Sequence, residues 1–484
     1  MSNDYLEGNY APLSREHTIT ELAVTGTIPA HLDGRYLRNG PNPIAEADPE
    51  AYHWFTGDGM VHGVRLREGK AQWYRNRWIR TPAVARSLGV ALPRRAPVRT
   101  GLEVLGANTN VLSFAGRTLA LVEGGITNVE LSDELDTVGP CDFDGTLRGG
   151  YAAHPKRDPD TGELHAVSYS FGRGNHVQYS VIGVDGHARR TVDIEVTGSP
   201  MMHDFSLTAN HVVLYDLPVT FDPRHAVSLT VPRALRAPAR LVLSALIGRV
   251  RLPDPIIAMA GRGLHGNAGL PYRWNPNYPA RIGVMPRAGG TEDVRWLDIE
   301  PCYVFHPLNA YDDGDTIVID VVRHPKMFVT DLHGPNEGPA TLDRWIVDLA
   351  NGTVRETRLD DHPQEFPRID ERLVGRPYRY GYAMQTSSTG GRPGDSVLKH
   401  DLHRGSTTAR RLGAHQRVGE FVFVPNSSRS AEDDGVLMGF VYDADTNRSD
   451  LAILDAAGLS TIATVHLPER VPYGFHGNWL PVTP

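Results

Sequence analysis

Cysteine is almost absent from this sequence, with only Cys141 and Cys302 among 484 residues. Two thiols cannot build a disulfide framework, and without a CxxC pair there is no zinc-ribbon signature. A reducing compartment is the inference. No Gly/Ser run, acidic tail or low-complexity block interrupts the chain, so nothing reads as a linker. No stretch of about 18 or more uninterrupted apolar residues occurs, which argues against a membrane-spanning helix. The opening residues, Met1-Ser2-Asn3-Asp4-Tyr5-Leu6-Glu7, lack the basic and apolar regions of a secretory signal. A cytoplasmic location is therefore expected. An excess of positive charge is also missing: the formal net charge is -8. That counts against a general nucleic-acid binder, which needs a basic face for phosphates.

What the chain does contain is short β-like runs closed by turn residues. Examples are His211-Val212-Val213-Leu214-Tyr215-Asp216, Thr316-Ile317-Val318-Ile319-Asp320-Val321-Val322 and Val436-Leu437-Met438-Gly439-Phe440-Val441-Tyr442. Each is rich in β-branched or aromatic residues and bounded by Gly, Asp, Asn or Pro. The 49 glycines and 36 prolines are spread throughout, as many tight turns require. Long helical patterns are scarce and no βαβ alternation appears. The expectation is an all-β sandwich, barrel or propeller in one domain over residues 1–484. No clean repeat at a fixed period is visible, so a propeller would have divergent blades.

One segment differs. Between Pro223 and Pro253 there is no acidic residue, while Arg224, Arg233, Arg236, Arg240, Arg249 and Arg251 stand among apolar residues. Ala239, Val242, Leu243, Leu246 and Val250 fall at helical spacing on one face. Residues 224–252 are therefore read as a cap or amphipathic insertion. Such a helix either packs over the domain or at a dimer contact, or lies in a membrane interface with its arginines near anionic headgroups.

Spacing selects no metal site among the 21 histidines. HExxH is absent, and no HxH or HxxxH pair sits where two ligands would share a strand or helix face. Sequence context does single out four. They lie in Tyr151-Ala152-Ala153-His154-Pro155-Lys156, Met201-Met202-His203-Asp204-Phe205, Val304-Phe305-His306-Pro307-Leu308-Asn309-Ala310 and Tyr473-Gly474-Phe475-His476-Gly477-Asn478-Trp479. These resemble the four metal-ligand segments of the carotenoid cleavage oxygenase family. Further colinear segments carry the resemblance along nearly the whole chain. They include Tyr36-Leu37-Arg38-Asn39-Gly40-Pro41-Asn42-Pro43, Phe55-Thr56-Gly57-Asp58-Gly59-Met60, Ala107-Asn108-Thr109-Asn110-Val111, Glu365-Phe366-Pro367-Arg368-Ile369 and Glu432-Asp433-Asp434-Gly435.

The resemblance implies a seven-bladed β-propeller, with a loop and helix cap over the face that bears iron(II). It implies His154, His203, His306 and His476 as the metal ligands. It also implies that Glu123, Glu365 and Glu420 orient His203, His306 and His476 respectively, leaving His154 without a carboxylate partner. Imidazole suits iron(II), and four neutral ligands leave the ion's full charge in place. Ligating histidines usually donate their second N–H to a carboxylate or carbonyl. Glu365 and Glu420 sit beside apolar runs, where an unpaired charge would be costly. Thr109 matches a residue whose methyl crowds a vacant metal position in some members, and Phe55 one that lines the substrate tunnel. His53, His62 and His324 read as structural.

The activity implied is addition of O2 across one alkene of an apolar polyene, a carotenoid or apocarotenoid, to give two carbonyl fragments. Relatives that cleave lignostilbenes deprotonate a phenol with a Lys just before the first orienting glutamate and a Tyr upstream. Here Val122 holds the Lys position, and no Tyr occurs between Tyr74 and Tyr151. A stilbenoid-cleaving dioxygenase and a retinoid-type isomerase are the alternatives. No nucleic acid and no obligate protein partner is implied, and peripheral contact with a membrane remains open through residues 224–252.

Overall fold

Strands dominate because β-branched and aromatic residues recur in runs too short for helices, each closed by a turn. In the computed structural model, which describes residues 2–92, 106–252 and 269–482, these runs form seven antiparallel sheets of four to six strands. They are the blades of a seven-bladed β-propeller. A separate two-stranded ribbon pairs Val219–Phe221 with Tyr272–Trp274.

Burial falls from the inner to the outer strand of a blade, and the residue pattern follows. The inner strand Tyr303–Asp313 is buried over its first eight residues. Its outermost companion Thr353–Asp360 carries Arg, Glu and Thr and has no fully buried residue. Between them, Thr341–Asp348 buries Trp345 completely.

The ring closes through both ends of the chain. The C-terminal strand Gly477–Pro481 pairs with Gly34–Pro41, completing a blade otherwise built from the first 78 residues. In the neighbouring blade, Ala23–Gly26 pairs with Thr461–His466. Two such pairings fix the first and last blades side by side and leave no long unpaired edge at the seam.

The longest excursion from the propeller leaves a blade after His211–Asp216 and returns at Arg281–Pro286. Among the described residues it contains the ribbon and two α-helices, Pro223–Thr230 and Arg236–Leu246. Asp222 caps the first, its side chain accepting from the Arg224 N–H at 2.8 Å, and Pro223 fills the first turn, where no N–H is needed. The apolar face expected of this segment is split. Leu243 and Leu246 pack on the main core, while Val242 and Val250 face solvent, as does Leu241 beside that face. Arg224, Arg233, Arg240, Arg249 and Arg251 are exposed; Pro253 lies outside the described residues. Among the described residues no helix is long and apolar enough to cross a membrane.

Candidate metal centre and substrate cavity

The seven blades supply seven groups to one point. His154 precedes the inner strand Lys156–Arg157, His203 precedes Phe205–Leu207, His306 lies in Tyr303–Asp313 and His476 precedes Gly477–Pro481. These are four different blades. The other three bring Glu123 after Arg117–Leu121, Glu365 in Gln364–Arg368 and Glu420 before Val422–Pro425.

Local chemistry aims them. His154 and His306 each precede a proline, which holds the preceding residue in extended backbone. Pro307 cannot donate to the ladder, and the register slips on both sides of it. The Glu123 loop turns through Gly124 and Gly125, both at positive φ. It rests on Gly150, where a Cβ would stand 1.5 Å from the Gly125 carbonyl oxygen. Only glycine allows the loop bearing Glu123 to press against the segment leading to His154.

All four histidines are buried, and their nearest ring nitrogens lie within 4.8 Å of one another. His203 Nε2 and His306 Nε2 are 3.2 Å apart. Metal–nitrogen bonds of about 2.0–2.1 Å require ligand atoms no more than about 4.2 Å apart, so the cluster closes on an ion with sub-ångström movement. His154 Nε2 has no hydrogen-bond partner although it is buried. A buried lone pair without a partner is costly, and a metal ion satisfies it.

Electrostatics favours the ligating form. Burial, and then the neighbouring histidines, hold the His154 pKa well below its ordinary value. Burial lowers His306 to about 3, outweighing the opposing pull of Glu365. Both rings are neutral at pH 7 and need release no proton to bind a cation.

Two of the three glutamates take the positions expected of them with hydrogen bonds. Glu365 Oε2 accepts from His306 Nδ1 at 2.6 Å, and Glu420 Oε1 from His476 Nδ1 at 3.0 Å. Burial pushes both carboxyls up, but the facing histidines, with Arg368 beside Glu420, bring them net below the usual range. Glu123 Oε1 lies 2.8 Å from His203 Nδ1 and 3.2 Å from His154 Nε2, but neither contact is aligned as a hydrogen bond. Thus Glu123 stands between two histidines, and His154 has a carboxylate oxygen nearby where none was expected.

Each glutamate has a further anchor that sequence reasoning missed. Tyr169 donates to Glu123 Oε2 at 2.8 Å. Arg368 Nη1 and the Gly477 N–H approach Glu420 at 3.5 and 2.7 Å. His324, read from sequence as merely structural, holds Glu365 Oε1 through Nε2 at 2.6 Å. None of the three has a local signal. Their partners are 41 to 52 residues away in sequence. His53 and His62 do take structural roles: His53 Nδ1 accepts from the Phe55 N–H, and His62 pairs with the Tyr74 hydroxyl.

An apolar cavity of about 260 Å³ reaches this cluster, lined by Phe55, Phe171, Leu270, Phe305, Phe366 and Phe475 among others. Phe55 packs edge-on against Phe305 and Phe475. Thr109 also lines it. Its hydroxyl is tied to Asn108 at 3.0 Å, leaving the methyl free to face the cavity. Val122 lines it too, and among the described residues no lysine does. A second cavity, of about 280 Å³ and lined by polar and charged side chains together with apolar ones, reaches His154, His306 and His476 from another side.

Residues 10–481 match the family model described as "Retinal pigment epithelial membrane protein". The chain is 61% identical over 99% of its length to a carotenoid cleavage oxygenase of Mycobacterium tuberculosis, of which it covers 98%. Among solved structures, it is similar to the cobalt-substituted apocarotenoid oxygenase of Synechocystis, with TM-score 0.78, 29% identity and 97% of each chain covered. It is also similar to the lignostilbene dioxygenase of Pseudomonas brassicacearum, with TM-score 0.81, 26% identity and 100% of each chain covered. A seven-bladed propeller with four buried histidines at one point, matched to these relatives along its full length, makes this chain an oxygenase of the carotenoid cleavage family.

Proposed function

We propose that this protein is an iron(II)-dependent dioxygenase that cleaves one carbon–carbon double bond of a carotenoid or apocarotenoid. The observation that carries this reading is an aromatic-lined cavity that opens onto His203, His306 and His476 of a cluster of four buried, mutually close histidines. His154, His203, His306 and His476 would hold the metal. Imidazole ligands suit several first-row metals, iron(II) among them. When bound, iron(II) would supply the activation of O2 beside the alkene, whose two carbons end as two carbonyl groups. Glu365 and Glu420 accept from Nδ1 of their histidines and so direct Nε2 toward the centre. The phenylalanines bind a polyene by burial alone, at roughly 25 cal/mol per Å² of apolar surface, and keep water from the reacting carbons. Thr109 would limit the space beside the metal.

A stilbenoid substrate is the second reading, supported by the likeness to the lignostilbene dioxygenase. Val122, apolar and buried at the cavity wall, offers nothing to accept a phenol proton and counts against it.

Residues 224–252 form the cap element in this reading and dock the protein on a membrane that holds the substrate. Leu241 and Val242 are exposed next to the exposed Arg240, and Leu229 packs next to Gly269, adjoining Leu270 of the cavity. The test of the activity is product analysis after aerobic incubation of the iron(II)-loaded protein with β-carotene, a long apocarotenal and resveratrol. Two carbonyl fragments from a polyene support the reading. Fragments from resveratrol alone would replace it with the second.

A further inference from the structure

The metal centre stands between two cavities of opposite character. His203 lines only the apolar one and His154 only the polar one, while His306 and His476 line both. We infer that the polar cavity is the route by which a hydrated divalent cation enters the four-histidine site, separate from the route of the apolar substrate. This rests on the metal-dependent reading above.

The physical argument concerns what each cavity can carry. A hydrated divalent cation loses a large hydration free energy in an apolar passage walled by Phe171, Leu270 and Phe305, where nothing replaces its water. The polar cavity, at about 280 Å³, holds several waters. Its walls carry Asn110, Asn309 and Asn478, whose amide oxygens already accept from the Val111 N–H, the Gly375 N–H and Arg368, so they make the lining polar without binding a cation tightly. Its cations are largely neutralised in place. Lys156 pairs with Asp204 at 2.8 Å, and Arg368 with Glu371 at 2.7 Å. Toward solvent the lining ends in the exposed residues Arg157, Glu371 and Pro481. At its inner end stands His154, 6% exposed, whose Nε2 is the buried nitrogen without a hydrogen-bond partner. An ion arriving by this path meets the rings of His154, His306 and His476, with Glu123 Oε1 3.2 Å from His154 Nε2 behind them.

The experiment is the rate of Co(II) uptake by the full-length protein after chelator treatment, followed by the visible absorbance of the bound ion. Leu112→Trp and Val374→Trp narrow the polar cavity at half-buried wall positions away from the histidines. Each is expected to slow uptake at least tenfold while the final stoichiometry is kept. Leu270→Trp, which narrows the apolar cavity, is expected to leave the uptake rate within twofold. Arg157→Glu changes an exposed side chain, so it folds, and it is expected to speed uptake roughly threefold or more at low ionic strength, the gain fading with salt. Slowing by Leu270→Trp with no effect of the polar-cavity variants and Arg157→Glu would overturn the route. So would equal rates in all proteins. A protein that takes up no Co(II) at all would instead overturn the metal-dependent reading itself.

Discussion

Glu365 offers the most direct probe of how the centre is held. Its carboxylate is 8% exposed and receives three donors: His306 Nδ1 at 2.6 Å, His324 Nε2 at 2.6 Å and the Phe366 N–H at 2.6 Å. Glu365→Gln keeps the volume but replaces one acceptor oxygen by an NH2 group. At least one imidazole N–H then faces another donor. A lost charge-assisted hydrogen bond contributes about 1.5–3 kcal/mol, and an orphaned buried donor costs about 1–3 kcal/mol. The expected result is metal binding weakened roughly 10–100-fold, the range for loss of a ligand-orienting group. Competition of the protein against a chelator for Co(II) reads this, with thermal unfolding of the metal-free protein as the check on folding. His324 is tested the same way. His324→Leu removes the donor and is expected to weaken binding about tenfold, whereas the side-chain amide of His324→Gln can still donate and restores most of it. If Glu365→Gln binds Co(II) like the unsubstituted protein, the orienting argument is wrong. If His324→Leu and His324→Gln behave alike, His324 acts by packing and not through its N–H.

Other consequences follow from the same structure. Asp320 is fully buried between both Arg344 nitrogens, at 2.7 and 2.8 Å, and the Tyr378 hydroxyl at 2.6 Å, so Asp320→Ala should cost about 3–5 kcal/mol, read as a lower denaturant midpoint at unchanged slope. Burial lowers His53 to about 3, and His165 and His400 to about 4. The unfolded chain therefore binds more protons below its histidine pKa of about 6.5, and stability is present above that value and lost as pH falls toward 4. These three groups together should remove roughly 3 kcal/mol between pH 6.5 and 5.5, measured by denaturant unfolding at each pH. Replacing both Leu241 and Val242, 76% and 55% exposed, by Asp should lower activity on substrate in anionic liposomes several-fold more than on detergent-solubilised substrate. Equal losses would remove the docking role.

How much of this was legible in the sequence depends on the range of the interaction involved. The strands were legible because side-chain period and turn residues are local. His211–Asp216, Thr316–His324 and Gly435–Asp443 read as strands from their own residues. The blade count was not, because the blades share no sequence repeat and one of them joins residues 34–41 to 477–481. The histidine cluster could not be found from spacing, since its members enter from four blades between positions 154 and 476. Resemblance found it because segments such as Phe305-His306-Pro307 keep a recognisable local form. The outer anchors have no such form. Tyr169, His324 and Arg368 matter only through where the propeller sets them, and an isolated tyrosine, histidine or arginine beside a strand has many ordinary explanations. The amphipathic segment was legible only in part. Helical periodicity found an apolar stripe but could not divide it between Leu243 and Leu246, which meet the core, and Val242 and Val250, which do not.

The division of labour among the seven blades explains why the site tolerates so much burial. Imidazoles gathered in a buried cluster are costly to protonate, and the lowered pKa values of His154 and His306 show the direction in which the surroundings push. Three carboxylates placed among them would be costly if left without partners. Each is instead tied outward, Glu123 to Tyr169, Glu365 to His324 and Glu420 to Arg368. The negative charge next to the centre is therefore fixed before any cation arrives, and four histidines with three carboxylates present a net attraction for a divalent ion. Removing a single outer anchor leaves the ligands in place and alters only the charge and orientation behind them. Substitutions at these anchors should therefore shift metal affinity while the fold survives, which separates the orienting layer from the four histidines by measurement.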